Sequence, residues 1–181
     1  MTTAFRDAMR ENGLSTQGLL LEVEPGRALH NETGIHLTKV HVIKHETASI
    51  DRVWAETDTS EVFLSVGSLN VTAPFQYLVA NKADREANSK VDIAGITCNY
   101  ECLAEQAPVP ALESGDIIAF LNTGSYIEPY TCNFNALPRP GMILVSGDQA
   151  NWVKRPETQA EVFARDQVPE HLEHIGLPLP A

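Results

Sequence analysis

The sequence predicts a mainly β protein entered through a single helix–strand unit. Short runs rich in β-branched residues alternate with turn residues from about 35 to 154, which is how a strand-dense domain reads. Ahead of them, one helical pattern leads into an isolated apolar run at 18–23. A helix and a buried strand alone look like the last piece of an α/β layer whose remainder is missing.

Taken in order, Thr3 caps a helix to about Asn12, with Ala4, Phe5, Ala8 and Met9 on one face and Gly13 just past its end. Residues 18–23, GLLLEV, are short, apolar and bounded by turn residues, as a buried strand is. The run 35–43 is dense in β-branched side chains and predicts a strand. Further strands are expected at 53–56, 62–66, 76–80, 91–97, 116–121 and 142–145. The last of these pairs with 150–154 through a hairpin at Ser146-Gly147-Asp148-Gln149, because Gly-Asp supplies the turn geometry. Thr158 and Glu161 form a capping box that opens a helix to about Arg165. The tail, with Pro169, Pro178 and Pro180, is expected to be irregular.

The 181 residues give room for one ordinary domain, or one domain plus a piece of another, and 43% hydrophobic content supplies a core. A net charge of −11 repels nucleic-acid phosphates and argues against a nucleic-acid partner. No stretch approaches the roughly 18 apolar residues that span a bilayer. Residues 1–10 carry Arg6, Asp7 and Arg10 without an apolar signal core, so no membrane role and a cytoplasmic location are expected. Three cysteines, Cys98, Cys102 and Cys132, argue against a disulfide scaffold. No second Cys/His pair completes a zinc site with Cys98 and Cys102, so no metal is expected.

Glu24-Pro25-Gly26-Arg27 follows directly on the strand expected to end at Val23. An acid and an arginine on a tight turn at the C-terminal end of a strand occupy the usual address of barrel active sites. Arg27 offers a planar fork of donors suited to phosphate or carboxylate, and Glu24 an acceptor for a heteroaromatic ring nitrogen. The motif alone is also what a surface turn looks like.

It does not stand alone. EPGRALHNETGIHLTKVHVIK resembles the segment where the pyridoxal-phosphate-dependent decarboxylases of the diaminopimelate/ornithine/arginine type leave their barrel and enter a C-terminal β domain. GITCNYECLA resembles their G-x-x-C-(D/E)-S-x-D-x-L block. ESGDIIAFLNTGSYIEPYTCNFNALPRP resembles their G-D…G-A-Y…F/Y-N block, and RPETQAEVFARD their closing R-R-E-T helix. The matches keep the family's order and spacing from about Gly18 to Asp166, nearest to the diaminopimelate enzymes of lysine biosynthesis.

The resemblance implies a β-barrel or sandwich domain of the alanine racemase/group IV decarboxylase type, preceded by the last helix and strand of a truncated (β/α)8 barrel. It divides the chain into a barrel remnant at 1–33, a β domain with its terminal helix at 34–168 and a tail at 169–181. It implies an amino-acid substrate and pyridoxal phosphate as cofactor, held in part by Glu24, Gly26, Arg27 and Tyr126. Glu24 would contact the pyridine nitrogen, while Arg27 and Tyr126 would bind the phosphate or a substrate carboxylate. Tyr77 and Glu101 would join Arg27 and Tyr126 around the substrate. Cys98 matches the cysteine that reaches across a homodimer interface and returns a proton to the substrate carbon after carbon dioxide leaves. A thiol suits that work, with an ordinary pKa of about 8.5. Cys102 and Cys132 read as buried packing.

Two departures stand out. The lysine that holds the cofactor covalently lies upstream in the family and is absent here: either the chain is truncated or a complementing barrel chain supplies it. Lys82 in VANKAD sits in superficially similar surroundings but in the wrong order, and reads as a solvated loop residue. The arginine of the family's R-P-x-L-Y element is Ala73 here, and Asn99-Tyr100-Glu101 is one residue short, with Glu101 supplying the acid. The substrate therefore stays open between diaminopimelate and a related basic or smaller amino acid. Two other readings stay open: a non-catalytic dimerisation or regulatory module derived from such an enzyme, and an amino-acid racemase of the same fold type.

Overall fold

The computed structural model describes residues 2–48, 50–64, 75–99 and 101–173. Six strands, β1 (Ile35–Glu46), β2 (Arg52–Thr57), β3 (Tyr77–Val79), β4 (Ser89–Ala94), β5 (Cys102–Val109) and β6 (Ile117–Leu121), form one sheet in the order β3-β6-β1-β2-β4-β5. A separate hairpin joins β7 (Met142–Ser146) to β8 (Gln149–Lys154). Helices are short apart from α1 (Thr2–Glu11): α2 (Arg27–His30), α3 (Glu61–Leu64), α4 (Ile127–Tyr130), α5 (Gln159–Val162) and α6 (Glu170–Glu173) are single turns. Among the described residues no helix is long and apolar enough to cross a membrane.

β1 organises the body. Its first half, from Ile35 to Lys39, pairs antiparallel with β6, and from Val40 onward it pairs antiparallel with β2. The register shifts between Val40 and Val42, where the partner changes. A strand that changes sheets at such an irregularity turns the corner between two facing layers. Apolar side chains from both halves, among them Val40, Ala55, Ile93, Ile118 and Phe120, then close one core. Phe120 at its centre takes Phe75 and Tyr77 edge-on, with centroids 6.3 and 6.2 Å away. This is the β domain the sequence predicted, assembled from β-branched runs whose alternate residues turn inward.

Two buried carboxylates fasten the loops to this body. Asp92 is met by both arms of Arg52, at 2.6 and 2.9 Å, and by the Gln106 amide at 2.7 Å. That amide belongs to a residue in left-handed conformation (φ 47°), so the carboxylate holds a bulge in β5. Asp116 accepts from Lys82 at 2.7 Å, Asn81 at 2.8 Å and the Glu113 amide at 2.7 Å. Burial works to raise both carboxyls, yet these hydrogen bonds outweigh it and hold each below the ordinary carboxylate range.

Several expectations are corrected. Residues 18–23 are not a buried strand: they pair with no other strand among the described residues, and Leu20 is 89% exposed. An apolar run becomes a strand only where a neighbour accepts its hydrogen bonds. In place of a strand at 62–66, residues 61–64 form α3, because the Ser60 hydroxyl accepts the Val62 amide at 3.2 Å and caps a turn; residues 65 and 66 lie outside the described residues, as does Ala73. β5 went unforeseen; it lies at the edge of the sheet, where Pro108 is tolerated. Lys82 is 6% exposed and ion-paired rather than solvated. Cys132 is exposed and Cys102 half-buried on β5, where burial raises its thiol. The tail is not wholly irregular, since α6 adds one turn. The Gly147-Asp148 hairpin and the Thr158–Glu161 capping box form as expected, although α5 stops short of Arg165.

Candidate active site

The EPGR turn docks onto the segment after β6 by close backbone approach. The Gly124 amide donates to Asn31 O at 3.0 Å, and the Thr123 amide to Gly34 O at 3.1 Å. Both glycines are required: a Cβ on Gly124 would lie 1.9 Å from His30 O, and one on Gly34 2.4 Å from the Gly124 nitrogen. Gly26, at φ 35°, faces the Tyr126 hydroxyl so closely that a Cβ there would stand 2.1 Å from it. Tyr126 itself is left-handed (φ 68°), a conformation that costs a bulky residue about 1 kcal/mol or more.

This junction gathers Gly26, Arg27, Ser125 and Tyr126. The Arg27 guanidinium lies over the Tyr126 ring, 5.4 Å from its centroid, and donates to Asn31 Oδ1 at 3.0 Å. Arg27 makes no ion pair among the described residues, and an open cleft runs past it along Pro25, Ala28, Asn31 and Thr33, with Glu32 also on its wall. A guanidinium outside any ion pair, on a glycine turn beside a phenol, suits an anionic ligand. Glu24 stands exposed just ahead of the turn.

A second group forms around Cys98. The thiol is exposed on the loop between β4 and β5, and Asn135 Nδ2 donates to its Sγ at 3.6 Å. Asn135 (φ 55°, ψ 26°) and Ala136 (φ 57°) are consecutive left-handed residues. Glu101, at 8% exposure, anchors the loop from below: Oε1 accepts from Ser60 Oγ at 2.5 Å and from Thr97. Its Oε2 has no hydrogen-bond partner among the described residues. Gly95 makes the room, since a Cβ there would sit 1.6 Å from Glu101 Oε2. Tyr77 lies elsewhere, on β3, its ring against Phe120 and its hydroxyl raised by burial.

The structure thus joins Gly26, Arg27 and Tyr126, puts Cys98 with Asn135, and buries Glu101 beneath the Cys98 loop. Sequence reasoning missed Asn31, Gly124 and Asn135. The last two stand in the GSY and FN runs, which was the signal available. Among the described residues no group of three or more His, Cys, Asp or Glu is placed to hold a metal ion.

Comparison with known proteins decides what this arrangement belongs to. Residues 28–124 match the C-terminal sheet domain of the pyridoxal-dependent decarboxylases. The chain belongs to this family. Diaminopimelate decarboxylase of Methanothermobacter thermautotrophicus is 29% identical over 173 residues, covering 95% of this chain and 39% of that protein. Its namesake from Pseudomonas fluorescens is 34% identical over 165 residues, covering 89% of this chain and 37% of the relative. The crystal structure of diaminopimelate decarboxylase from M. jannaschii superposes with a TM-score of 0.79 at 28% identity, over 94% of this chain and 38% of that one. The chain therefore spans about two fifths of the length of the relatives it matches. The matched region begins just after the EPGR turn and ends at Gly124, so Arg27 and Tyr126 flank it.

Proposed function

We propose that the chain is the C-terminal part of a pyridoxal-phosphate-dependent amino-acid decarboxylase of the diaminopimelate type, working at a site shared between subunits. The observation that carries this reading is Arg27, in no ion pair among the described residues, laid over Tyr126 on a turn where Gly26 admits no side chain. These residues fit the phosphate of the cofactor: Arg27 and the Tyr126 hydroxyl would hold it, and Glu24 would face its ring nitrogen. When bound, pyridoxal phosphate supplies the electron sink that lets carbon dioxide leave. The chain's own contribution is to bind and to move a proton. Cys98 gives its thiol proton to the substrate carbon that has lost carbon dioxide, is left as a thiolate, and recovers a proton from solvent.

In this reading residues 1–33 end a barrel, 34–168 form the sheet domain and 169–181 a tail. The cofactor lysine belongs to a barrel outside these residues, and Cys98 serves a neighbouring copy in a homodimer. The neighbours named diaminopimelate decarboxylase, one of them solved with L-lysine, favour diaminopimelate as substrate. Glu101, buried beneath the Cys98 loop and bonded to Ser60, supports that loop.

The test is complementation. The chain is mixed with pyridoxal phosphate, a barrel fragment of a relative and, in turn, diaminopimelate, ornithine or lysine, and released carbon dioxide is measured. Release that needs both chains and collapses in Cys98→Ala, with cofactor binding retained, supports the reading. A chain that alone becomes labelled on a lysine after borohydride reduction, or a mixture that stays inactive on every amino acid, refutes it.

A further inference from the structure

Asn135 is a residue the proposed reaction has not used, and its surroundings are built with care. It sits in a turn fastened on both sides: Asn133 Nδ2 donates to Leu137 O at 3.0 Å and to Glu157 Oε2 at 2.5 Å, and the Ala136 amide donates to Asn133 O at 2.9 Å. Glu157 is fixed in turn by the Arg139 guanidinium and amide. The backbone is held left-handed at Asn135 and again at Ala136, and the outcome of that geometry is one contact, Nδ2 to Cys98 Sγ at 3.6 Å, across 37 residues of sequence. The carboxylates packed against the same loop are engaged elsewhere: Glu61 on α3 with Asn99, and Glu101 with Ser60 and Thr97.

We propose that Asn135 is the positioning residue of the Cys98 thiol. Its side-chain amide fixes Sγ on one side and supplies the N–H that stabilises the thiolate left when the proton departs. Sulfur carries little positive guidance of its own; a thiol on an exposed loop turns freely about its Cα–Cβ bond, and a donor anchored on another segment removes that freedom. A hydrogen bond to an ionised acceptor is also stronger than one to its neutral form, so the contact favours the state reached after proton transfer. The catalytic meaning of this rests on Cys98 as proton donor; the contact itself does not.

The left-handed backbone suggests the variants. Glycine and aspartate both accept that conformation, so Asn135→Gly and Asn135→Asp should leave the turn in place while removing the donor, and the second also sets a negative charge beside sulfur. The chain as it stands is treated with iodoacetamide near neutral pH. Modification of Cys98 is followed by peptide mass spectrometry, with the exposed Cys132 as internal reference. Without the donor the ionised sulfur loses a charge-assisted hydrogen bond, and alkylation of Cys98 is expected to slow about threefold. The expected order is therefore parent, then Asn135→Gly at about a third of its rate, then Asn135→Asp slower still, with Cys132 unchanged and melting temperatures alike. An Asn135→Gly chain whose Cys98 reacts as fast as the parent overturns the proposal, even if Asn135→Asp is slow, because charge alone would then explain the effect. Failed decarboxylation in the complementation assay would overturn the enzyme reading and leave this result standing.

Discussion

Acidification should expose a stability penalty lodged at His36. The imidazole lies on β1, its Nε2 2.7 Å from Thr59 Oγ1, and burial lowers its pKa from 6.5 to about 4, with Asp58 opposing. A histidine whose folded pKa is depressed is carried neutral in the native state, while the unfolded chain takes up a proton once the pH falls below 6.5. Between those two values the unfolded state binds more protons, so stability is whole above about 6.5 and declines as the pH falls toward about 4. At about 1.4 kcal/mol per pH unit, the loss reaches about 3 kcal/mol across the window. Urea unfolding of the parent and of His36→Gln, at neutral pH and near pH 4.5, isolates it, because glutamine keeps a polar partner for Thr59 without titrating. Buried carboxylates such as Asp92 and Asp116 also lose stability in acid, but they do so in both chains and cancel. The parent should lose about 2–3 kcal/mol more than His36→Gln. Equal losses would refute the argument.

Two further outcomes follow from the packing. Lys82→Met should destabilise the chain by about 3–5 kcal/mol in urea unfolding, because it strands Asp116 in the interior without its cation, whereas Lys82→Met with Asp116→Leu should recover much of that. Gly124→Ala should lower stability by about 1–3 kcal/mol and speed proteolysis around residues 26–34, since its Cβ would meet the backbone of His30, which has no flexible end to give way.

Much of the body was legible in the sequence because its strands are β-branched and its turns carry glycine: 116–121 marks β6 almost to the residue, 35–43 marks all but the last three residues of β1, and Gly147-Asp148 marks its hairpin. Other features depended on contacts that local pattern does not contain. Residues 18–23 look like a strand, but pairing is a property of the neighbour. Lys82 follows Asn81 in a polar run and so reads as solvated; only the approach of Asp116, 34 residues later, buries it. In the site, residue type pointed to Arg27 and the resemblance to the family's blocks to Tyr126 and Cys98, but the roles of Gly34, Gly95 and Gly124 are close approaches between distant segments. Cys98 and Asn135 likewise meet only once the loops are folded together.

The two parts of the candidate site share one support. The Cys98 loop is pinned through Glu101 to Ser60, the residue that caps α3, and through Asn99 to Glu61 in α3 itself. α3 packs on α4, with Phe63 and Ile127 buried. α4 begins directly after Tyr126, and the same segment runs on to Asn135. A single stretch, 124–135, therefore holds the EPGR turn by its glycine at one end and touches the Cys98 thiol by its asparagine at the other. The Glu101–Ser60 bond and the α3–α4 packing are buried, whereas Asn99–Glu61 and Asn135–Cys98 are exposed side-chain contacts, so the stretch is held most firmly at α4. If Cys98 serves the neighbouring copy, as proposed, the stretch 124–135 ties the Arg27 turn of one site to the thiol of the other.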